Sequence, residues 1–441
     1  MNATPRHRRA TPTLATGLCF LLASIPLSAQ QQAAAAAESS LEQGQTSLDE
    51  SFDWHQWRLE KRREALEDTT FKFNLRTYYM DRDKFDDTES EAWAAGGWAG
   101  LKTGYFLDRI SLGLTGYTSQ RLEGDEDQDG TLLLATGQHG YSVLGELYAD
   151  VRILDCLNFI VGRKEFDTPF INRNDTRMTP NTFEAVALQG IGELKDGASI
   201  KYGAGYFDQI KERNTDDFVS MSVDAGSTVE RGVFAAGGLY KKGNFSFGAI
   251  DYYSDDMINI AYLEAKLVVP ICNEWKVNLA TQYIDQRSVG EELLPDGDFN
   301  SRQFGIKAEV PVGDALFTAA YTDASGDSNL QNPWSGYPGY TSVQVQDFNR
   351  EGEGAFLLRA GYDFAAVDGL STYALGVFGT EPDEPGEFRQ DEYDLNLQWA
   401  PTKGTLKGLS LRLRYAFVQQ DGGDDDTLTD LRLICNYAFE F

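Results

Sequence analysis

DLRLICNYAFEF, residues 430–441, is the stretch on which the fold turns. Leu431, Leu433, Cys435, Tyr437, Phe439 and Phe441 share one parity. Asp430, Arg432, Asn436 and Glu440 share the other, with Ile434 and Ala438 among them. A period of two belongs to a strand with one apolar and one polar face. Left at the edge of a soluble sheet, a strand this apolar invites pairing with other chains. A partner must cover it or close a ring with it.

The same period recurs upstream. Phe71, Phe73, Leu75, Thr77 and Tyr79 oppose Lys72, Asn74, Arg76, Tyr78 and Arg82. Tyr393, Leu395, Leu397 and Trp399 alternate with Glu392, Asp394, Asn396 and Gln398. Comparable segments run at 143–153, 201–210, 234–240, 245–253, 260–268, 275–284, 302–310, 316–324, 356–364 and 409–417. Short connectors (FLDRI, LDCLN, LKDGAS, KKGNF, VPICNEW, PVGDA, FAAVDGLS) alternate with long ones at 122–140, 163–182, 211–230, 285–300 and 324–354. Short turns on one side and long loops on the other belong to outer-membrane barrels. The expectation is an all-β fold, a transmembrane antiparallel β-barrel of about 18 strands with inward-folded long loops. An even number follows when both ends lie in the periplasm. Residues 216–224 are the segment most easily miscounted as a further strand.

A mean hydropathy of −0.40 reads as soluble. The barrel removes the contradiction, because lipid-facing and lumen-facing residues cancel in any average. In hydrocarbon every backbone N–H and C=O needs a partner, so only helices and closed barrels span. No segment approaches the roughly 18–20 continuous apolar residues of a membrane helix. The strand beginning near Phe71 is the expected partner of the last one, and their pairing leaves no edge.

Residues 1–29 have the layout of a secretory signal: Arg6, Arg8 and Arg9, then an apolar run, then LSAQQQ. Cleavage after Ala29 is expected, with 33–37 as the other candidate region. Residues 30–70 are expected to form a periplasmic tail, low in complexity and then helical around 51–69. Residues 71–441 are expected to form the barrel. The formal net charge is −29, and losing the signal removes three Arg and no acid. That sign disfavours nucleic acid. The acid sits in runs at 125–130, 294–298, 381–387 and 421–426, which read as loops. Cys156, Cys272 and Cys435 remain after processing, and an odd number does not close a disulfide framework.

A barrel of this size encloses a lumen, and the lumen face carries the chemistry. Arg76, Arg82, Arg359, Arg412, Arg414 and Arg432 stand opposite the apolar stripes of strands that flank the closure. A row of guanidinium groups lowers the cost of moving an anion through a constriction, and their forked donors suit carboxylates. The alternative is that each Arg pairs with a lumen acid such as Asp363, Glu392, Asp394 or Glu440 and braces the wall.

Residues 173–185, RNDTRMTPNTFEA, resemble the third loop of OprD-type substrate-specific porins, and 332–356, NPWSGYPGYTSVQVQDFNREGEGAF, resemble the seventh. GYDFAAVDGLS and LKGLSLRLRYAF resemble the last hairpins, and WAAGGWAGLKTGY resembles the second strand. The resemblance covers nearly all of 71–441. It implies a monomeric or weakly trimeric channel in the outer membrane of a Gram-negative bacterium. Loops 163–182 and 324–354 would narrow the pore, and basic residues would guide small anionic or zwitterionic solutes, most of all carboxylates or amino acids. Arg76, Arg82, Arg412, Arg414 and Arg432 stand where the family's basic ladder is expected, with Lys102 in place of an Arg near Gly100. Asn174, Asp175, Arg177, Tyr337, Tyr340 and Arg350 stand on the constricting loops. The terminal Phe441 resembles the signal read by barrel-assembly machinery. The family implies no enzyme, cofactor or metal.

Other readings are weaker. The D-x-D-x-D-G run at 125–130 opens like a calcium loop, but its twelfth position is Thr136 rather than a bidentate Glu. A barrel hydrolase needs a base, and His139 has no evident Ser partner while His55 lies in the tail. A structural or adhesive barrel would use the acidic loops and have a closed lumen.

Overall fold

The computed structural model describes residues 54–272, 275–384, 386–422 and 427–441. The expected signal, most of the linker and part of the last acidic run lie outside the described residues. Helix α1 spans Trp54–Glu67. Ten strands follow: β1 Thr70–Asp83, β2 Glu89–Lys102, β3 Ile110–Glu123, β4 Tyr141–Leu154, β5 Leu157–Lys164, β6 Thr182–Glu193, β7 Ser199–Lys211, β8 Val233–Lys242, β9 Phe245–Ser254 and β10 Ile258–Cys272. Eight more complete the ring: β11 Trp275–Ser288, β12 Asn300–Val312, β13 Ala315–Gly326, β14 Gly354–Asp363, β15 Leu370–Gly379, β16 Gln390–Trp399, β17 Leu409–Gln420 and β18 Thr427–Glu440. Each pairs antiparallel with its neighbours, and β1 pairs with β18. The segment at 216–224 contributes only a two-residue strand, Val219–Ser220, laid on β7, and a short helix, Met221–Asp224.

The closing register runs from Lys72 opposite Glu440 to Asp83 opposite Thr429. Phe71 N donates to Phe441 O at 2.8 Å, and Phe441 N donates back to Phe71 O at 3.1 Å. On the outer face Phe73 stacks on Phe439 at 5.0 Å and Phe71 on Phe441 at 5.6 Å. The apolar stripe of the last strand is thus the outer surface of the seam. The parity rule holds elsewhere: on β16, Glu392, Asp394 and Asn396 are buried while Tyr393, Leu395 and Leu397 are exposed. Exposed leucines all around the outer wall are what a lipid-facing surface requires.

The eight connectors at the α1 end are short, apart from residues 400–408. At the other end are L2 (124–140), L3 (165–181), L4 (212–232) and L7 (327–353). Two connectors on that side, 84–88 and 255–257, are tight turns, so long and short connectors do not segregate perfectly. α1 lies at the short-turn end. Gly104 N donates to Ala65 O at 2.9 Å, and a Cβ at Gly104 would fall 2.7 Å from that of Asp68, so only glycine admits this approach. The helix is otherwise charged and exposed, with Ala65 its one fully buried described side chain.

The apolar core lies inside the ring. Phe170 and Ile171 of L3, Met221 of L4 and Trp334 of L7 pack on inward residues Phe183, Phe207, Tyr252, Ile260 and Ile284. Burying each such side chain is worth about 1.5–3 kcal/mol, which is why these loops turn inward rather than into water. L2 does the same. Leu133 and Leu134 are buried against Tyr78, Met80, Ala92 and Met178. Its acidic run is not simply a solvated face: Asp129 accepts from the backbone N–H of Gly130 and of Gly137, at 2.7 Å each. Asp129 thereby shapes the turn itself.

Candidate functional site

Inside the ring, L3 and L7 meet across the lumen. Asn181 Nδ2 donates to Ser335 Oγ at 2.6 Å, and Asn174 Nδ2 donates to Ser335 O. Trp334 Nε1 donates to Met221 O of L4 at 3.1 Å. Tyr337 OH reaches Gln303 Oε1 on β12 at 2.7 Å, and Tyr340 OH reaches Glu264 Oε1 on β10 at 2.9 Å. Tyr337 and Tyr340 thus moor L7 to the wall. Burial holds the Tyr337 hydroxyl far above its ordinary range, so it acts only as a neutral donor.

The basic residues divide by partner. Arg76 is buried and joins L3: Nη1 and Nη2 donate to the two Asp175 oxygens at 2.6 and 3.1 Å, and Nε donates to Asn436 Oδ1 at 2.6 Å. Arg82 and Arg432 share Asp430. Arg82 Nε donates to Asp430 Oδ2 at 2.7 Å and Arg432 Nε to Asp430 Oδ1 at 2.5 Å. Gln344 of L7 completes the set, its Nε2 donating to Asp430 Oδ1 at 2.8 Å while its carbonyl accepts from Arg432 Nη2 at 2.9 Å. Lys102 faces Asp150 at 3.9 Å. Arg350 pairs with Glu353 and, at 3.0 Å, with Glu387, so it stands at the base of L7.

Other cations make no ion pair among the described residues. Arg359 lies over the Tyr373 ring at 4.0 Å. Arg412 Nε donates to the neutral Asn396 Oδ1 at 2.5 Å. Arg414 Nε is buried without a hydrogen-bond partner. These three sit on β14 and β17, with Tyr373 on β15 and Asn396 on β16 between them. Arg177 of L3 is buried, and its hydrogen bonds go to the carbonyls of Thr131, at 2.7 Å, and Thr176, at 3.0 Å. It also stands near Arg76, which donates to its backbone oxygen.

The bracing acids differ from those expected. Asp175 and Asp430 take the buried guanidiniums. Glu440 meets Lys72 at 3.8 Å. Glu392 holds L7, accepting from the backbone N–H of Val345 at 2.8 Å and of Gln346 at 2.7 Å. Asp394 is buried beside it with neither oxygen hydrogen-bonded.

Two cations escaped the sequence reading. Lys211, at the end of β7, is fully buried, donates to Thr179 Oγ1 at 3.2 Å, and lies 5.5 Å from the Tyr117 ring centroid. Arg213, at the start of L4, donates from Nη1 to Thr176 Oγ1 of L3 at 2.8 Å. The only signal was the basic pair in KER at 211–213, placed just past an alternating segment. Acids also stand on the inner side of β4, L3 and β10, and Glu165 among them acts on Lys211. Asp150 accepts from Tyr105 at 3.0 Å, Glu165 from Tyr117 at 2.7 Å, and Glu264 from Tyr340. Burial, opposed by the Tyr117 hydrogen bond, raises the Glu165 carboxyl above its ordinary range. Against the start of L3 a chamber of about 810 Å³ opens, lined in part by Lys102, Asp150, Phe166, Gly203, Gly237 and Glu264.

No curated protein matches. Solved structures share the fold. OccAB3 of Acinetobacter baumannii is 18% identical with a TM-score of 0.75, covering 85% of this chain and all of its own. OpdK of Pseudomonas aeruginosa, crystallised with vanillate, is 21% identical with a TM-score of 0.74, at 85% and 100% coverage. A BenF-like porin from Pseudomonas fluorescens Pf-5 is 18% identical with a TM-score of 0.76, at 86% and 100% coverage. The family described as outer membrane porin, OprD family, matches residues 63–441. The chain therefore belongs to the OprD family, porins of the Gram-negative outer membrane.

Proposed function

We propose that this porin passes small carboxylate-bearing solutes, anionic or zwitterionic, along the inner face of β14–β17 and past the L3–L7 constriction. The observation that carries the reading is that Arg359, Arg412 and Arg414 face the lumen with no ion pair among the described residues. Arg359 is exposed, whereas Arg412 and Arg414 are half-buried; a guanidinium held partly away from water costs free energy, which a passing carboxylate relieves through charge-assisted hydrogen bonds. Arg76, Arg82 and Arg432, already ion-paired with Asp175 and Asp430, shape the ladder's potential and hold the loops. Zwitterions fit because the inner surface also carries acids, Asp150 on β4, Glu165 on L3 and Glu264 on β10, that can take an ammonium group. The vanillate bound by OpdK is a carboxylate, which agrees with the class. A closed adhesive barrel is disfavoured by the chamber against the start of L3. Outside the lumen, Phe441 is the residue we propose as the contact for barrel-assembly machinery.

Liposome swelling with carboxylates, amino acids and neutral sugars tests the reading. Carboxylates or amino acids should enter faster than sugars of equal size. Arg412→Glu with Arg414→Glu should slow that entry by tenfold or more, since lost hydrogen bonds to charge are worth about 1.5–3 kcal/mol. Equal entry of sugars and carboxylates into wild-type liposomes would end the proposal.

A further inference from the structure

Helix α1 has no part in the lumen chemistry. Reckoned at about 100° per residue, Arg58, Arg62, Leu66, Leu59 and Arg63 follow one another around an arc of about 140°. The two leucines stand in the middle of that arc, with arginine on both sides. Leu59 and Leu66 are 50% and 63% exposed, and all three arginines are exposed. Glu60, Glu64 and Glu67 lie on the other side of the helix. A helix that packs on a protein core sets its leucines and its charges on opposite faces. Here leucine and arginine share a face, and the acids are set apart from both.

What ties α1 to the barrel uses the flank between those two faces. Gly104 N donates to Ala65 O at 2.9 Å, and Lys61 Nζ meets Asp108 at 3.4 Å. Arg63 pairs with Glu67 along the helix at 2.9 Å, while Arg58 and Arg62 make no ion pair among the described residues. A helix of 14 residues held by so few contacts is marginal in water. Its place indicates what else holds it. Asp68 and Thr69 alone separate α1 from β1, and Phe71 at the start of β1 stacks on Phe441 in the outer seam. Five residues of chain reach at most about 18 Å, so Leu66 stays that close to the aromatic level. Aromatic girdles mark the interface with the lipid head groups. The turn that receives α1 adds exposed Leu107 and Ile110 at the same end. An apolar stripe edged with arginine matches an anionic lipid surface, where leucine enters the head-group boundary and guanidinium meets phosphate. We propose that the Arg58, Leu59, Arg62 and Leu66 face of α1 docks on anionic phospholipid of the leaflet at the short-turn end. Glu60 and Glu64 then face water. The docking is independent of what the pore passes.

The test measures amide hydrogen exchange across residues 59–67 in the full-length porin, one barrel per lipid nanodisc. Discs of phosphatidylcholine alone are compared with discs that also contain phosphatidylglycerol. Exchange should be about tenfold slower in the anionic discs, since each basic residue at such a surface contributes a several-fold preference. Arg58→Gln/Arg62→Gln should lose most of that slowing. Leu59→Ser/Leu66→Ser should lose it as well, although the charge is unchanged, which separates docking from the acidity of an anionic surface. Equal exchange of the wild-type helix in the two lipids would overturn the proposal. So would slowing that survives in Leu59→Ser/Leu66→Ser. Slow exchange found only where two or more barrels share a disc would assign the face to a second copy of the chain and overturn it too.

Discussion

Asp430 shows how one carboxylate decides what several cations can do. It is fully buried and accepts from Arg82, Arg432 and Gln344. Asp430→Asn would leave two guanidiniums facing one neutral amide inside the wall. Removing one partner of a buried pair costs about 3–5 kcal/mol. The variant should unfold at a distinctly lower temperature in heat-modifiability gels, and L7 should lose its Gln344 anchor. Unchanged heat resistance would mean that water reaches Arg82 and Arg432 and compensates. At this scale the sequence was half legible. Parity placed Arg76, Arg82, Arg412, Arg414 and Arg432 on the inner face, because strand geometry fixes direction. It did not pair them. Arg76 finds Asp175 across about a hundred residues, and nothing local in either segment encodes that meeting. The acid beside Arg432 was in plain view two residues away, on the same face, yet its second partner, Arg82, comes from the far end of the chain.

The closure seam is the best-encoded element. Phe73, Phe439 and Phe441 alternate with polar residues in both strands, and antiparallel pairing puts their rings together on the outer face. Stacked aromatic pairs are worth about 0.5–1.5 kcal/mol beyond their area. A double-mutant cycle with Phe73→Ala and Phe439→Ala, read by denaturant unfolding in lipid, should give a coupling of that size. Additive losses would mean that lipid contact, rather than stacking, stabilises the seam. Loops were less legible than strands. Tight turns at 84–88 and 255–257 sit among long loops, since a long loop is needed only where side chains have a core to reach. L2 carries both signals, an acidic run and then Leu133 and Leu134, and the apolar pair prevails because Tyr78, Met80 and Met178 offer it a dry site. L4 hid its role for the opposite reason: Arg213 is one polar residue in a polar loop, and only the positions of Thr176 and Tyr141 give it meaning.

Taken whole, the molecule sets two fields in series. The chain carries a net charge of −29, with acids gathered in external loops such as 291–298 and 381–387. The unpaired guanidiniums lie inside, at Arg359, Arg412 and Arg414 and at the loop crossing. On the proposed function, an approaching carboxylate would meet repulsion in open water and then attraction in a confined, drier space. Salt separates the two. The Debye length is about 30 Å at 0.01 M, about 10 Å at 0.1 M and about 3 Å at 1 M. The outer field acts over distance and through bulk solvent, so modest salt removes it first. The lumen contacts act at hydrogen-bond range, so they persist until salt anions compete for the same guanidiniums. Carboxylate flux through the wild-type channel should therefore rise as potassium chloride increases from about 0.01 to about 0.1 M, and fall again towards 1 M. Flux measured across that series in proteoliposomes checks it. A steady fall from the lowest salt would mean that the acidic loops lie too far from the entrance to matter. A flat response would mean that L3 and L7 select by size, with the arginines serving only to hold them in place.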